Sequence, residues 1–191
     1  MYSIRLERRV FQRMEVAYTS PTSVWRISIL RTLVSVLLLL TSLHSHAAQL
    51  EQAREYINAM EYTQAIQSLQ TYLLAHPDDV EARYLLARTY AWDNQYAQAQ
   101  QVYDQLLQLQ SDNSEYLFGK AQALLWQNQQ QAAIPLLETV IKLSPEQNDA
   151  WRLLILSLQQ SQNTADQQRA LEILTQARTR FPKINWDALA N

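Results

Sequence analysis

The chain has 191 residues but no cysteine, one glycine, five prolines and three histidines. Each shortage removes a class of chemistry. Without cysteine there is no disulfide, no thiolate nucleophile, no zinc cluster of the cysteine-bearing kind, and no attachment point for a lipoprotein's lipid. The lone glycine, Gly119, excludes a glycine-rich phosphate loop. His44 and His46 fall at the end of an N-terminal segment read below as a leader, which leaves only His76 for the body of the protein. A two-histidine metal motif on a helix is therefore excluded there, and the proximity of His44 to His46 is not a metal site. Carboxylates alone can hydrolyse glycosides, but Asp78 and Asp79 follow Pro77 and read as helix-capping residues. The inventory predicts no enzyme, no cofactor and no metal.

Charge is unevenly distributed. Residues 1–47 hold six arginines (Arg5, Arg8, Arg9, Arg13, Arg26 and Arg31) against Glu7 and Glu15, a net +4. The remaining ten basic and sixteen acidic residues carry −6, so the overall −2 conceals two opposite halves. After Arg31 an apolar run, Leu33 to Leu43, leads into His44-Ser45-His46-Ala47-Ala48. A basic flank, a short apolar core and a small-x-small exit form a secretory signal peptide, with cleavage expected after Ala47. A membrane anchor needs about 20 apolar residues, and this run is shorter. The expected location is outside the cytoplasm, most simply a bacterial periplasm. With no basic stripe and a net negative body, nucleic acid is not an expected partner. Membrane contact would come only through an uncleaved leader.

From Gln49 onward, Ala, Leu and Gln dominate, all good helix formers. The many glutamines are spread among them and read as a solvated helical surface. A period of thirty-four residues runs through this text. Tyr56 falls on Tyr90, Ala65 on Ala99, Ala53 on Ala87 and then Ala121, and Trp92 on Trp126, while Pro77 reaches Pro145 in two steps. A fixed period of this kind marks a repeat array of helix pairs. Val80 to Asn113 is its most regular unit, with Asp93-Asn94-Gln95 in the turn.

The units read as 48–79, 80–113, 114–147 and 148–183, with 184–191 left as a short tail or partial cap. Pro135 falls early in the second helix of unit three, where it could displace the helix start. In unit four, Ala170, Leu174, Ala177 and Pro182 come into register only with three extra residues between Gln162 and Arg169, expected in a loop. Ile155 stands where the other units have a small residue, so this unit should pack less regularly.

These residues resemble the tetratricopeptide repeat (TPR) family. Unit one supplies Ala53, Tyr56, Ala65, Leu69 and Pro77; unit two Leu86, Ala87, Tyr90, Ala99 and Tyr103. Unit three supplies Leu117, Ala121, Leu124, Ala133, Leu137 and Pro145; unit four Trp151, Leu154, Leu158, Ala170, Leu174, Ala177 and Pro182. Ser111 stands where the family has proline. The resemblance implies an all-α fold, an α-solenoid with right-handed superhelical twist of about four helix-turn-helix units following the signal peptide. It also implies that first helices line a concave groove where targets bind. A narrower resemblance, carried by ARTYAWDNQYAQA and ALLWQNQQQAA, is to TPR segments of bacterial outer-membrane and exopolysaccharide export proteins.

Tyr84, Arg88 and Trp92 are four residues apart and share a helical face, which Phe118, Gln122 and Trp126 repeat one unit later. With Arg152 they form the candidate partner-binding groove, because Tyr, Trp and Arg combine large buried area with a polar handle. The competing reading of Trp92 and Trp126 is as packing residues wedged at the inter-helix turn. Tyr84 and Phe118 stand where a lysine would be needed to grip a terminal carboxylate in the family's manner. The expected function is a non-catalytic periplasmic scaffold holding a protein or peptide segment, in cell-envelope or exported-polymer assembly. The alternatives are a carbohydrate (exopolysaccharide) ligand on the aromatic platforms, and self-assembly through an uncapped solenoid end.

Overall fold

The computed structural model describes residues 48–189. The expected leader, 1–47, lies outside the described residues. Helix α1 covers 48–58. It is followed by α2 (Tyr62–Ala75), α3 (Val80–Trp92), α4 (Tyr96–Leu109), α5 (Ser114–Trp126), α6 (Gln130–Leu143), α7 (Asn148–Gln159) and α8 (Thr164–Arg180), and a 3-10 turn at Asp187–Leu189. No strand occurs among the described residues. Helices pair as α1/α2, α3/α4, α5/α6 and α7/α8, and each packs on the next in sequence, as an α-solenoid requires. Among the described residues no helix is long and apolar enough to cross a membrane.

The helix ends follow from local chemistry. Asp79, Asn113 and Asn163 sit just before α3, α5 and α8, and each side chain accepts a backbone N–H of the first turn. Within the pairs the chain reverses through a residue in the left-handed region: Met60, Asn94 and Asn128, with φ of 60°, 59° and 57°. Asparagine adopts this conformation readily, whereas methionine is strained there. Met60 is 75 % exposed, so its side chain contributes little packing. Met60→Asn should therefore stabilise the fold by about 0.5–1 kcal/mol, seen as a higher denaturation midpoint with an unchanged urea slope.

Asp79 does more than cap. It also accepts the Tyr72 hydroxyl at 2.8 Å. Burial alone would raise its pKa, but the Ala82 N–H, the Tyr72 hydroxyl, the Glu81 N–H and nearby His76 outweigh burial and hold it below the ordinary carboxylate value. A lowered folded pKa contributes stability that is present above the unfolded value, near 3.8, and is lost as pH falls through the folded one. Thermal melts from pH 6 down to pH 2.5 should fall less steeply below about pH 4 for Asp79→Asn than for the native protein. Parallel curves would show that Asp79 gains nothing on folding.

Small side chains set the helix spacing. Ala53, Ala87 and Ala121 on first helices and Ala65, Ala99 and Ala133 on second helices are all fully buried. Ile155, at the corresponding place in α7, is also fully buried. The three extra residues of unit four are not in a loop. Helix α8 has 17 residues where α2, α4 and α6 have 14, so the insertion is an added helical turn. Its buried Asp166 accepts from Ser161 Oγ at 2.7 Å and from Arg169 at 3.1 Å, anchoring that turn. Pro135 lies inside α6, whose start at Gln130 keeps the thirty-four-residue step from Tyr62 and Tyr96. The helix start is not displaced.

Gly119 marks a close approach of α4 to α5. A Cβ there would lie 2.3 Å from both Cζ and the hydroxyl oxygen of Tyr103, so the Tyr103 ring rests directly on the backbone of α5. Positions thirty-four residues to either side show the exchange: Leu69 and Leu137 align with Tyr103, and Leu85 and Leu153 with Gly119. One large and one vanishing side chain replace two leucines.

The segment after α8 packs back on unit four. Trp186 is buried, its ring 5.9 Å from Phe181, which in turn sits edge-on to Trp151 at 6.2 Å. Gln159 donates to the Leu189 carbonyl at 2.5 Å, and Arg178 pairs with Asp187 at 2.9 Å. The segment around Trp186 packs on the apolar core of unit four, and among the described residues nothing longer than the 3-10 turn follows α8.

Candidate functional site

Tyr84, Arg88 and Trp92 form one stack on α3. The Arg88 guanidinium carbon lies 5.6 Å from the Tyr84 ring centre and 4.7 Å from that of Trp92, both within cation–π range. Tyr84 continues inward, its ring 5.2 Å from Tyr116 and 6.4 Å from Tyr103. Burial, then the facing Glu115 carboxylate, raises the Tyr84 pKa, with Arg88 opposing. Burial next to Tyr84 raises Tyr103 further. The Tyr84 phenol, facing Glu115, is thus held in its neutral form.

The electrostatics of the stack are clearest against its own repeat. Arg54, on α1, precedes Arg88 by thirty-four residues and is internally matched: it pairs with Glu51 at 3.3 Å and with Glu81 of α3. The corresponding partner of Arg88 would be Glu115. That pair does not form, because Glu115 faces the Tyr84 hydroxyl and Arg88 lies against aromatic rings. Arg88 is exposed and has no ion pair among the described residues. It is a cation held in place by two rings and left without a counter-charge.

The rest of the predicted row is more divided. Phe118 is half-buried and packs on the core of units three and four. Gln122 is partly exposed on the same helix. Arg152 is exposed on α7, at the position held by Tyr84 and Phe118 in earlier units, and has no ion pair among the described residues. No contact joins it to the α3 stack.

Trp92 and Trp126 combine both sequence readings. Each ring wedges against a tyrosine that opens the preceding second helix, Tyr62 at 6.1 Å and Tyr96 at 5.3 Å, with the same interplanar angle of 33°. Each also remains open to solvent, 36 % for Trp92 and 47 % for Trp126. They clasp adjacent units and still present a face. Sequence reasoning missed Tyr62, Tyr96, Tyr103 and Tyr116. The first two carry a usable signal, since Tyr62 and Tyr96 are themselves one period apart.

A family model described as "Tetratricopeptide repeat" matches residues 56–125 and 93–156, together more than half of the chain. No curated protein matches it by sequence. Solved structures do match in shape. The structure of MamA, from residue 41 to the end, from Desulfovibrio magneticus RS-1 is 17 % identical, with 69 % of this chain and 72 % of that one covered and a TM-score of 0.63. An RS-1 MamA double mutant gives 22 %, 73 %, 76 % and 0.64 for the same quantities, and MamA of AMB-1 gives 18 %, 73 %, 75 % and 0.62. At these identities the likeness concerns the fold.

Proposed function

The chain belongs to the tetratricopeptide repeat family, and from that premise we propose that it is a non-catalytic scaffold binding a protein segment along the face of α3, α5 and α7. The observation that carries this reading is the contrast between Arg54, matched by two carboxylates of its own chain, and Arg88, which lies between Tyr84 and Trp92 with none. Burying an unpaired cation costs several kcal/mol, so a partner that covers Arg88 has to bring an acceptor. A carboxylate flanked by an apolar side chain suits the site. The guanidinium takes two hydrogen bonds in its plane, and the rings beside it exclude water.

The leader supports a place outside the cytoplasm, and the wording of units two and three supports a role in envelope or exported-polymer assembly. The test is to immobilise the full-length protein and its Tyr84→Ala/Arg88→Ala variant and expose both to envelope extract, with helicity checked by circular dichroism. A partner retained by the native protein and lost by the equally helical variant is the expected result. Identical capture by both would sink the reading.

A further inference from the structure

The two edges of the solenoid differ in chemistry. The edge formed by the links between pairs carries Asp78, Asp79, Asp112, Glu146 and Lys183. The opposite edge, formed by the turns within pairs, is almost without charge. No Asp, Glu, Lys or Arg occurs in 94–103, 121–137 or 153–165, the segments that build this edge from unit two onward. Of the acids nearest to it, Asp93 accepts from Gln95 at 2.6 Å and Asp166 is buried. What occupies the edge instead is carboxamide and exposed indole.

These groups recur in register. Tyr62 meets Trp92 and Tyr96 meets Trp126; thirty-four residues further, Gln130 donates to Gln160 at 3.3 Å. Each rung joins the start of a second helix to the end of the following first helix. Successive rungs lie one helix pair apart, so a ligand that engages two of them has to be an extended chain of several units. The amides of Asn128 and Gln129, beside Trp126, have no side-chain hydrogen-bond partner among the described residues, and Gln129 is exposed.

We propose that this edge binds a strand of neutral polysaccharide, its sugar rings stacking on Trp92 and Trp126 and its hydroxyls bonded by Asn128, Gln129 and the Gln130–Gln160 pair. Flat indole faces suit the C–H side of a pyranose ring, and carboxamides both donate to and accept from hydroxyls. A charged polymer would find a counter-charge only at the Trp92 end, where Arg88 lies on the indole, and none beside Trp126. A protein segment is the other class of occupant. It is less favoured because the edge is a row of separated platforms with amides between them and lacks the contiguous apolar pocket in which protein hot spots sit. This surface is distinct from the Arg88 stack except for Trp92, and it stands or falls separately.

The test titrates the full-length protein with cellohexaose, mannohexaose, hexa-N-acetylchitohexaose and, as the charged comparison, hexagalacturonate, following tryptophan fluorescence and heat. Saturable binding of at least one neutral hexasaccharide is expected, tighter than hexagalacturonate and weakened at least tenfold by Trp126→Ala. Gln129→Glu leaves the packing untouched and decides the matter if Trp126→Ala unfolds; it should weaken the neutral ligand at least threefold. The proposal is overturned if no neutral hexasaccharide saturates, if hexagalacturonate binds more tightly, or if Gln129→Glu has no effect. It is equally overturned if Gln129→Glu abolishes capture of a protein while glycan binding is unaltered.

Discussion

Gly119→Ala should destabilise the protein by about 2 kcal/mol, the reverse of what helix propensity gives. In an exposed helix interior, Gly→Ala is favourable by about 1 kcal/mol. Here the new methyl would meet Cζ, the hydroxyl and Cε1 of Tyr103, at 2.3, 2.3 and 2.7 Å. The Tyr103 ring cannot swing clear, since it is 2 % exposed and flanked by Tyr84. Either the ring leaves its rotamer or α5 moves off α4. The diagnostic is the double variant: on a Tyr103→Leu background, restoring the leucine of units one and three, Gly119→Ala should become neutral or stabilising. Urea denaturation of the four proteins measures the coupling. Additive effects would mean that the contact does not set the helix spacing.

Trp186→Ala should cost about 3–5 kcal/mol, as for other buried aromatic truncations. The loss should also be local. Trp186 is 2 % exposed, its indole N–H donates to the Phe181 carbonyl at 3.2 Å, and it closes the Phe181–Trp151 aromatic column. In a solenoid each unit depends on its neighbours alone, so unit four should open first. Hydrogen exchange should quicken in α7 and α8 while α3 to α5 keep their protection. Uniform quickening, or a loss below about 1 kcal/mol, would show that the terminal segment is decoration and not a cap.

The helices were legible because their cause is local. Alanines recurring at thirty-four residues, aspartate or asparagine before α3, α5 and α8, and proline after α2, α6 and α8 are all written in nearby sequence. The extra turn of α8 was half legible: register placed three residues between Gln162 and Arg169. Their helical state depends on the Asn163 cap and on Asp166 reaching Ser161, which periodicity does not encode. Trp186 could not be read as buried from a tail without period, because its partner Phe181, and Trp151 beyond it, come from earlier parts of the unit.

The binding row was legible as spacing, since Tyr84, Arg88 and Trp92 must share a face. The absence of a pair between Arg88 and Glu115 was not legible. By period alone, Arg88 should repeat the Arg54–Glu81 pair, and only the aromatic neighbours draw it elsewhere. Glutamine likewise read as generic helical surface. That amides stand in place of charges along the turns within pairs emerges only when those turns are placed side by side.

The most direct measurement compares two arginines one period apart. For a protein segment captured by the native protein, affinity is measured by calorimetry for Arg88→Ala and for Arg54→Ala. Arg88, held by Tyr84 and Trp92 without a counter-charge, should behave as a hot spot, with a loss of about 2 kcal/mol, near thirtyfold. Arg54, already matched by Glu51 and Glu81, should change affinity less than about threefold. Equal losses at the two positions, or an unchanged affinity on Arg88→Ala, would contradict the account.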